Sequence, residues 1–61
     1  MPYVNIRVAG TLTREQKAQI SEGVTKVVSD VAGKPPETVL VFIDEVERDN
    51  IAKAGKLLSD S

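Results

Sequence analysis

Two segments with β-strand character flank one segment with helical periodicity. Apolar and polar side chains alternate from Pro2 to Val8, and this period of two indicates a half-buried strand. The segment 38–46 is almost continuously apolar from Val39 to Ile43, which is typical of a strand that is covered on both faces or central in its sheet. The segment between them is long enough for a right-handed crossover helix. The sequence therefore predicts an α/β fold built on a small parallel βαβ unit.

The segment 12–33 is predicted to form the helix. Thr13 is a candidate N-cap, and Gln16 three residues later completes a capping-box pattern. Gly33 suits the left-handed residue that ends a helix, and the prolines that follow prevent its resumption. The apolar residues of this segment form one stripe at helical spacing: Ile20, Val24, Val27, Val28 and Val31.

The residues after the second strand carry fewer structural signals. Four charged residues are interpreted as part of a solvated turn: Glu45, Glu47, Arg48 and Asp49. The segment 51–60 is interpreted as a short tail that bends at Gly55.

The small size of the chain limits what it can stabilise alone. Its 61 residues are predicted to form a single domain, 1–61, that buries only about 60% of the surface exposed by the unfolded chain. The absence of cysteine excludes disulfides, and the absence of histidine removes the commonest metal ligand, so no metal site is expected. Because an isolated two-stranded sheet is barely stable, we expect two copies to pair into a four-stranded sheet with two helices per dimer.

Charge and hydropathy exclude several classes of partner. The net charge is −1 and basic residues are scattered among acidic ones, so nucleic acid is not an expected partner. The strand character of the second segment also disfavours a ribbon–helix–helix DNA-binding fold. No apolar run approaches the roughly 20 residues that span a bilayer, and no segment has the pattern of a signal peptide. A soluble cytoplasmic protein is expected.

Four short segments occur in an order and spacing that resemble the 4-oxalocrotonate tautomerase family. They are MPYVNIRV, REQK, VLVFIDEV and AKAGKLLSD, and the resemblance covers the whole chain. It implies a tautomerase-like fold and a cofactor-free isomerase that acts on small 2-hydroxy-dienoate or enolpyruvate-type acids in aromatic compound catabolism. It also implies a homohexamer, as a trimer of dimers, or a related heterohexamer.

The resemblance gives Pro2 the role of catalytic general base. Removal of Met1 would leave Pro2 with a free secondary amine, whereas retention of Met1 would acylate the nitrogen and remove its basic lone pair. Apolar surroundings or a nearby positive charge would bring the pKa of such an amine towards the working pH. Taken without the resemblance, Pro2 is a proline tolerated at the first position of a strand.

Three apolar residues stand where the resemblance implies substrate-binding groups. Leu12 and Leu40 occupy the positions of two arginines that bind a dicarboxylate, and Ile51 occupies the position of a phenylalanine wall. Leucine cannot clamp a carboxylate, so the usual dicarboxylate substrate is not expected. The three residues are equally compatible with a core or a subunit interface.

Two cations are candidates to replace the arginines. The segment AGKPPETV is similar to the GKPP segment of macrophage migration inhibitory factor, which places Lys34 at an active-site lysine. The alternative for Lys34 is a solvated lysine at the end of a helix. Arg7 lies about 17 Å along the strand from Pro2, so it can act only at the site of a neighbouring subunit.

Two further functions remain open at this point. The chain is compatible with a low-activity or non-catalytic subunit of a hetero-oligomer in which a partner chain supplies the arginines. It is also compatible with an oligomeric binding module that retains only the fold.

Overall fold

A computed structural model describes residues 1–60 and has the predicted βαβ arrangement. Strand β1 (Tyr3–Ala9) runs parallel to β2 (Leu40–Val46), and helix α1 (Arg14–Ala32) connects them. A hairpin follows, formed by β3 (Ala52–Lys53) and β4 (Lys56–Leu57). Short 3₁₀ turns occupy Pro36–Thr38, Arg48–Asn50 and Leu58–Asp60. The α/β fold predicted from the sequence is therefore confirmed.

The alternation in β1 determines which side chains face the helix. Val4, Ile6 and Val8 are half-buried, whereas the residues between them are exposed. Val4 lies opposite Val41, and Ile6 lies opposite Ile43, so both strands contribute aliphatic side chains to the same face. This face of the sheet packs against α1, as the period-two pattern predicts.

The other face of the sheet is not covered by any part of the chain from residue 1 to residue 60. Tyr3 and Phe42 lie on it with ring centroids 6.0 Å apart in an edge-to-face arrangement, and they are 68% and 51% exposed. Farther along, Arg7 and Asp44 form an exposed cross-strand ion pair at 3.6 Å. The apolar run of the second strand predicted a strand that is covered on both faces or central in its sheet. Among residues 1–60, β2 pairs only with β1, and only its helix-facing side is covered.

The ends of α1 confirm the predicted caps. The Gln16 N–H donates to Thr13 Oγ1 at 3.1 Å, and the Thr13 N–H donates to Gln16 Oε1 at 2.9 Å. Gly33 has a φ of 67°, in the left-handed region where glycine carries no Cβ penalty. Along the apolar stripe, Val27 and Val31 are exposed, whereas its other members are half-buried. Part of the stripe therefore points away from the chain's own sheet.

Residues 1–60 of the single chain form no closed core. None of the described residues is fully buried, and the accessible surface is 4868 Å². A compact monomer of this mass is expected to expose about 3,900 Å². The radius of gyration is 14.6 Å, whereas about 10.5 Å is expected for a compact domain of this length. The chain alone leaves its apolar faces uncovered.

Two interpretations of the carboxyl-terminal third need correction. The predicted strand 38–46 ends at Val46 as expected, so Glu45 lies within β2 and not in the solvated turn to which it was also assigned. The segment 51–60 bends at Gly55 as predicted, but it forms the β3–β4 hairpin instead of a tail, and β4 contacts the 3₁₀ turn Arg48–Asn50. Among residues 1–60, no helix combines the length and apolar character needed to cross a lipid bilayer.

Candidate active site

Pro2 lies at the edge of the sheet where both long strands begin. Its carbonyl oxygen accepts a hydrogen bond from the Leu40 N–H at 3.0 Å, which extends the parallel ladder to the first residue of β2. Pro2 is half-buried, and Leu40 is exposed on the uncovered face beside Tyr3. We call this side of the sheet the amino edge. It brings Pro2 and Leu40 together through backbone pairing.

Lys34 lies on the connection that returns the chain from α1 to the amino edge. Its backbone is fixed at both polar groups, because its N–H donates to the Ser29 carbonyl at 3.2 Å and its carbonyl accepts from Ser29 Oγ at 2.5 Å. The Lys34 ammonium forms no ion pair with any residue from 1 to 60. A rigid backbone therefore carries an unpaired cation near the start of β2.

Leu12 lies at the opposite edge, where β1 ends, and we call this side the carboxyl edge. Its N–H donates to Glu45 Oε2 at 2.8 Å, and Lys17 Nζ donates to the other carboxylate oxygen at 2.6 Å. These two donors, led by the Lys17 hydrogen bond, lower the pKa of the Glu45 carboxyl. Through these hydrogen bonds, Glu45 connects the loop that contains Leu12 with β2 and with α1.

Ile51 follows the 3₁₀ turn after β2 and precedes the hairpin. It is half-buried, and its carbonyl accepts a hydrogen bond from the Leu58 N–H at 2.8 Å. This bond closes the base of the β3–β4 hairpin. Ile51 therefore lies in the segment that follows the carboxyl edge, and not at the amino edge where Pro2 lies.

The candidate residues separate into two groups within one chain. Pro2, Lys34 and Leu40 belong to the amino edge, whereas Leu12 and Ile51 follow the carboxyl ends of the strands. Six residue steps along β1 separate the two edges by about 20 Å. One chain alone does not bring the two groups together. Arg7 is already paired with Asp44 on the uncovered face.

The sequence patterns did not predict that the Glu45 carboxylate accepts hydrogen bonds from Leu12 and Lys17. A signal was present, because Val41, Ile43 and Glu45 alternate in register on the helix-facing side of β2. It also assigned no role to Lys53 and Lys56, which lie opposite each other in the hairpin. Within residues 1–60, no group of three acidic side chains is arranged to hold a metal ion.

Comparisons with known proteins agree on one family. The model of the family described as "Tautomerase enzyme" matches residues 2–61. A probable tautomerase of Bacillus cereus is 43% identical over 60 residues, covering 98% of both chains. A 2-hydroxymuconate tautomerase of Bacillus subtilis is 43% identical over 60 residues, covering 98% of this chain and 97% of its own. A crystal structure of a 4-oxalocrotonate tautomerase homologue superposes with a TM-score of 0.92 at 42% identity, covering 98% of each chain.

Proposed function

The chain belongs to the tautomerase family, and we propose that it is a cofactor-free isomerase in which the amine of Pro2 is the general base. The substrates would be small 2-hydroxy-dienoate or enolpyruvate-type acids. Membership of the family supports an isomerase-type enzyme, and the position of Pro2 at a half-buried strand start supports the choice of base. The bacterial relative described as a 2-hydroxymuconate tautomerase supports an enol acid as substrate.

The proposed reaction moves one proton between oxygen and carbon. With Met1 removed, the secondary amine of Pro2 takes the proton from the enol hydroxyl and returns it to a carbon of the conjugated system, which leaves the keto acid. Efficient transfer requires an amine pKa close to the working pH. Apolar surroundings lower the pKa of an amine by disfavouring its charged form. The aliphatic residues Leu12, Leu40 and Ile51 would provide such surroundings.

We propose that the complete site forms between copies of the chain. The observation that carries this step is the separation of about 20 Å between the amino and carboxyl edges. A second copy whose β1 pairs antiparallel to the first would place its carboxyl edge beside the amino edge of its neighbour. The uncovered faces and the excess accessible surface favour such an assembly. A homohexamer, as a trimer of four-stranded dimers, would cover the outer sheet face.

We propose that the substrate carries one carboxylate near Lys34 rather than two carboxylates in a clamp. Leucine at positions 12 and 40 provides no charge for a second carboxylate. Lys34 has a fixed backbone and an unpaired ammonium, as a single-point anion contact requires. A Lys34→Ala variant is therefore expected to raise KM for acidic substrates with little change in kcat.

The test is ketonisation of phenylenolpyruvate and 2-hydroxymuconate by the wild-type protein and by Pro2→Ala. Once Met1 is removed, Pro2→Ala still has an amine at this position, but a primary one on a backbone that proline no longer restrains, so its rate should fall. Wild-type protein that retains Met1 is the second control, because its Pro2 nitrogen is acylated and has no basic lone pair. Loss of a positioned base is expected to lower the rate of this form by about 10²- to 10⁴-fold. Intact mass identifies the two forms. Equal rates for wild type and Pro2→Ala would remove Pro2 from the mechanism.

A second candidate function follows from Leu12 and Leu40. Their lack of charge also suits a subunit of a hetero-oligomer whose partner chain supplies arginines. Such a subunit would be inactive when purified alone and would gain activity on mixing with the partner. A protein that is inactive in both experiments would instead be a binding module that retains only the fold.

A further inference from the structure

The β3–β4 hairpin places two lysines directly opposite each other. Its two-residue turn consists of Ala54 and Gly55, with φ of 53° and 81°. Positive φ at both central residues is required by the type I′ turn, which joins strands of tightly fixed register. In this register Lys53 pairs with Lys56. Directly opposite residues have Cβ atoms about 5 Å apart, so the two ammonium groups can reach one common ligand.

Two unfavourable local features coincide in this hairpin. Like charges directly opposite each other destabilise a strand pair. In addition, Ala54 is the one residue other than glycine with a positive φ among residues 1–60. An L-residue in this conformation costs about 1–2 kcal/mol relative to a right-handed one. Strained backbone of this kind clusters at ligand-binding positions, where another interaction compensates for its cost.

Residues 1–60 supply no such compensation. Neither Lys53 nor Lys56 forms an ion pair with a carboxylate in this part of the chain. The two lysines line an open cavity of about 440 Å³ whose other walls are Ala54, Leu57 and Leu58. A positive rim beside an apolar wall is the lining expected for an amphipathic anion.

We propose that Lys53 and Lys56 form a binding subsite for the carboxylate of a small monocarboxylic acid, with Leu57 and Leu58 contacting its apolar body. The inference deepens the proposed function and rests on it, since the bound acid would be the substrate. The base of the hairpin is joined to Ile51 through the Leu58 N–H. In an assembly where Ile51 of one copy approaches Pro2 of another, the lysine pair would also approach Pro2, because it lies on the same segment as Ile51. Together with Lys34 at the amino edge of that other copy, it would supply the charge that Leu12 and Leu40 lack, so the three lysines would share the single carboxylate of the substrate.

Benzoate tests this subsite, with its uncharged analogue benzamide as the matched ligand. The wild-type protein should bind benzoate more tightly than benzamide, with amide chemical-shift changes centred on the hairpin. The double variant Lys53→Met/Lys56→Met keeps the apolar side-chain stems and removes both charges. It should bind benzoate about three- to tenfold more weakly than the wild type, as expected for two solvent-exposed charge contacts. Benzamide affinity should stay unchanged.

Two further variants separate a specific charge contact from net charge. Lys26→Met removes a charge from α1, where Lys26 is paired with Asp30, and should leave benzoate affinity within about twofold. Lys53→Arg/Lys56→Arg should retain most of the affinity because it keeps both charges. The titration is repeated in the Pro2→Ala background, where benzoate binding should persist, since binding requires no proton transfer.

Several outcomes would overturn the proposal. Benzoate affinity of Lys53→Met/Lys56→Met within twofold of the wild type would do so. Dissociation of the assembly in that variant, with benzoate affinity unchanged, would show that the lysines pair with carboxylates of a second copy instead. Full turnover by Pro2→Ala would refute the proposed base while leaving the benzoate result intact, so the two failures are distinguishable.

Discussion

The side-chain carboxylate of Glu45 in β2 accepts a hydrogen bond from the backbone N–H of Leu12, at 2.8 Å and across 33 positions of the sequence. Lys17 donates to the same carboxylate from the first half of α1. One side chain thus connects the second strand, the loop after the first strand and the helix. The position of Leu12 at the carboxyl edge depends on a charged group that sequence patterns assigned to a turn.

Replacing Glu45 with glutamine should remove a pH-dependent part of the stability. The pKa of Glu45 is lowered in the folded chain, so its contribution is present at neutral pH and is lost as the pH falls through that lowered pKa. Urea unfolding between pH 7 and about pH 3 should therefore show a steeper acid loss for wild type than for Glu45→Gln. The Leu12 amide should exchange several-fold faster in the variant.

Glu47→Gln is the matched control for Glu45→Gln. The Glu47 side chain makes no hydrogen bond or ion pair within residues 1–60, so this variant should follow the acid profile of the wild type. If Glu45→Gln and Glu47→Gln behaved alike, the tether between Glu45 and Leu12 would contribute nothing measurable.

Replacing Thr13 with alanine should destabilise the start of α1. The Thr13 hydroxyl accepts from the Gln16 N–H in the capping box, and loss of such a cap costs about 1 kcal/mol in the free energy of unfolding. Thr11→Ala is the control, because the Thr11 side chain makes no hydrogen bond within residues 1–60. Chemical denaturation at a fixed protein concentration measures both, and equal stabilities would contradict the capping role.

Replacing Ala54 with glycine should stabilise the hairpin. Glycine adopts the φ of 53° without the Cβ contact that alanine has there, so the free energy of unfolding should rise by about 1 kcal/mol. Ala52→Gly, in β3 at an ordinary φ, should instead lower it by about 0.5–1 kcal/mol. A loss of stability in Ala54→Gly would show that Ala54 is not strained.

A charge on the outer face of the sheet should break the assembly. Phe42 is 51% exposed in the single chain and lies against Tyr3 on the face that a second layer would cover. Because burial of an unpaired carboxylate is costly, Phe42→Asp should sediment as smaller species than the wild type. Gln19→Asp, at an exposed position of α1, should leave the sedimentation unchanged. Identical sedimentation of Phe42→Asp and wild type would place that face outside any interface.

Sequence patterns that depend on near neighbours in the chain predicted the βαβ unit well. The alternation of β1 and the box formed by Thr13 and Gln16 depend on neighbours within a few residues, and both are confirmed. Ala54 could not be identified as a turn residue, because alanine rarely adopts a positive φ and is not among the residue types that indicate a turn. The hairpin was therefore missed, although Gly55 marked its position.

The candidate site was harder to predict from the sequence because its residues lie at opposite edges of the sheet. The spacing of Pro2, Leu12 and Ile51 along the chain does not indicate which copy contributes each residue to one site. Glu45 was missed for a different reason, since a charged residue beside a polar turn suggests solvent when its partners are distant in sequence.

The central claim is that Pro2 of one copy works with the carboxyl edge of another. Pro2→Ala replaces the secondary-amine base with the primary amine of alanine, on a backbone that proline no longer restrains, but keeps a normal carboxyl edge. Leu12→Glu keeps the base but places at that edge a negative charge that repels an acidic substrate. Each variant alone should therefore be much less active than the wild type towards phenylenolpyruvate.

The most direct measurement is the activity of the two variants after they are unfolded together and refolded at equal concentrations. If each site combines groups from two copies, random assembly should restore about one quarter of the wild-type sites, because half of the prolines and half of the carboxyl edges are intact. Separately refolded variants mixed only before the assay provide the baseline. Recovery to about a quarter of wild-type activity is the predicted result. No recovery above that baseline, with both variants assembled, would contradict the account.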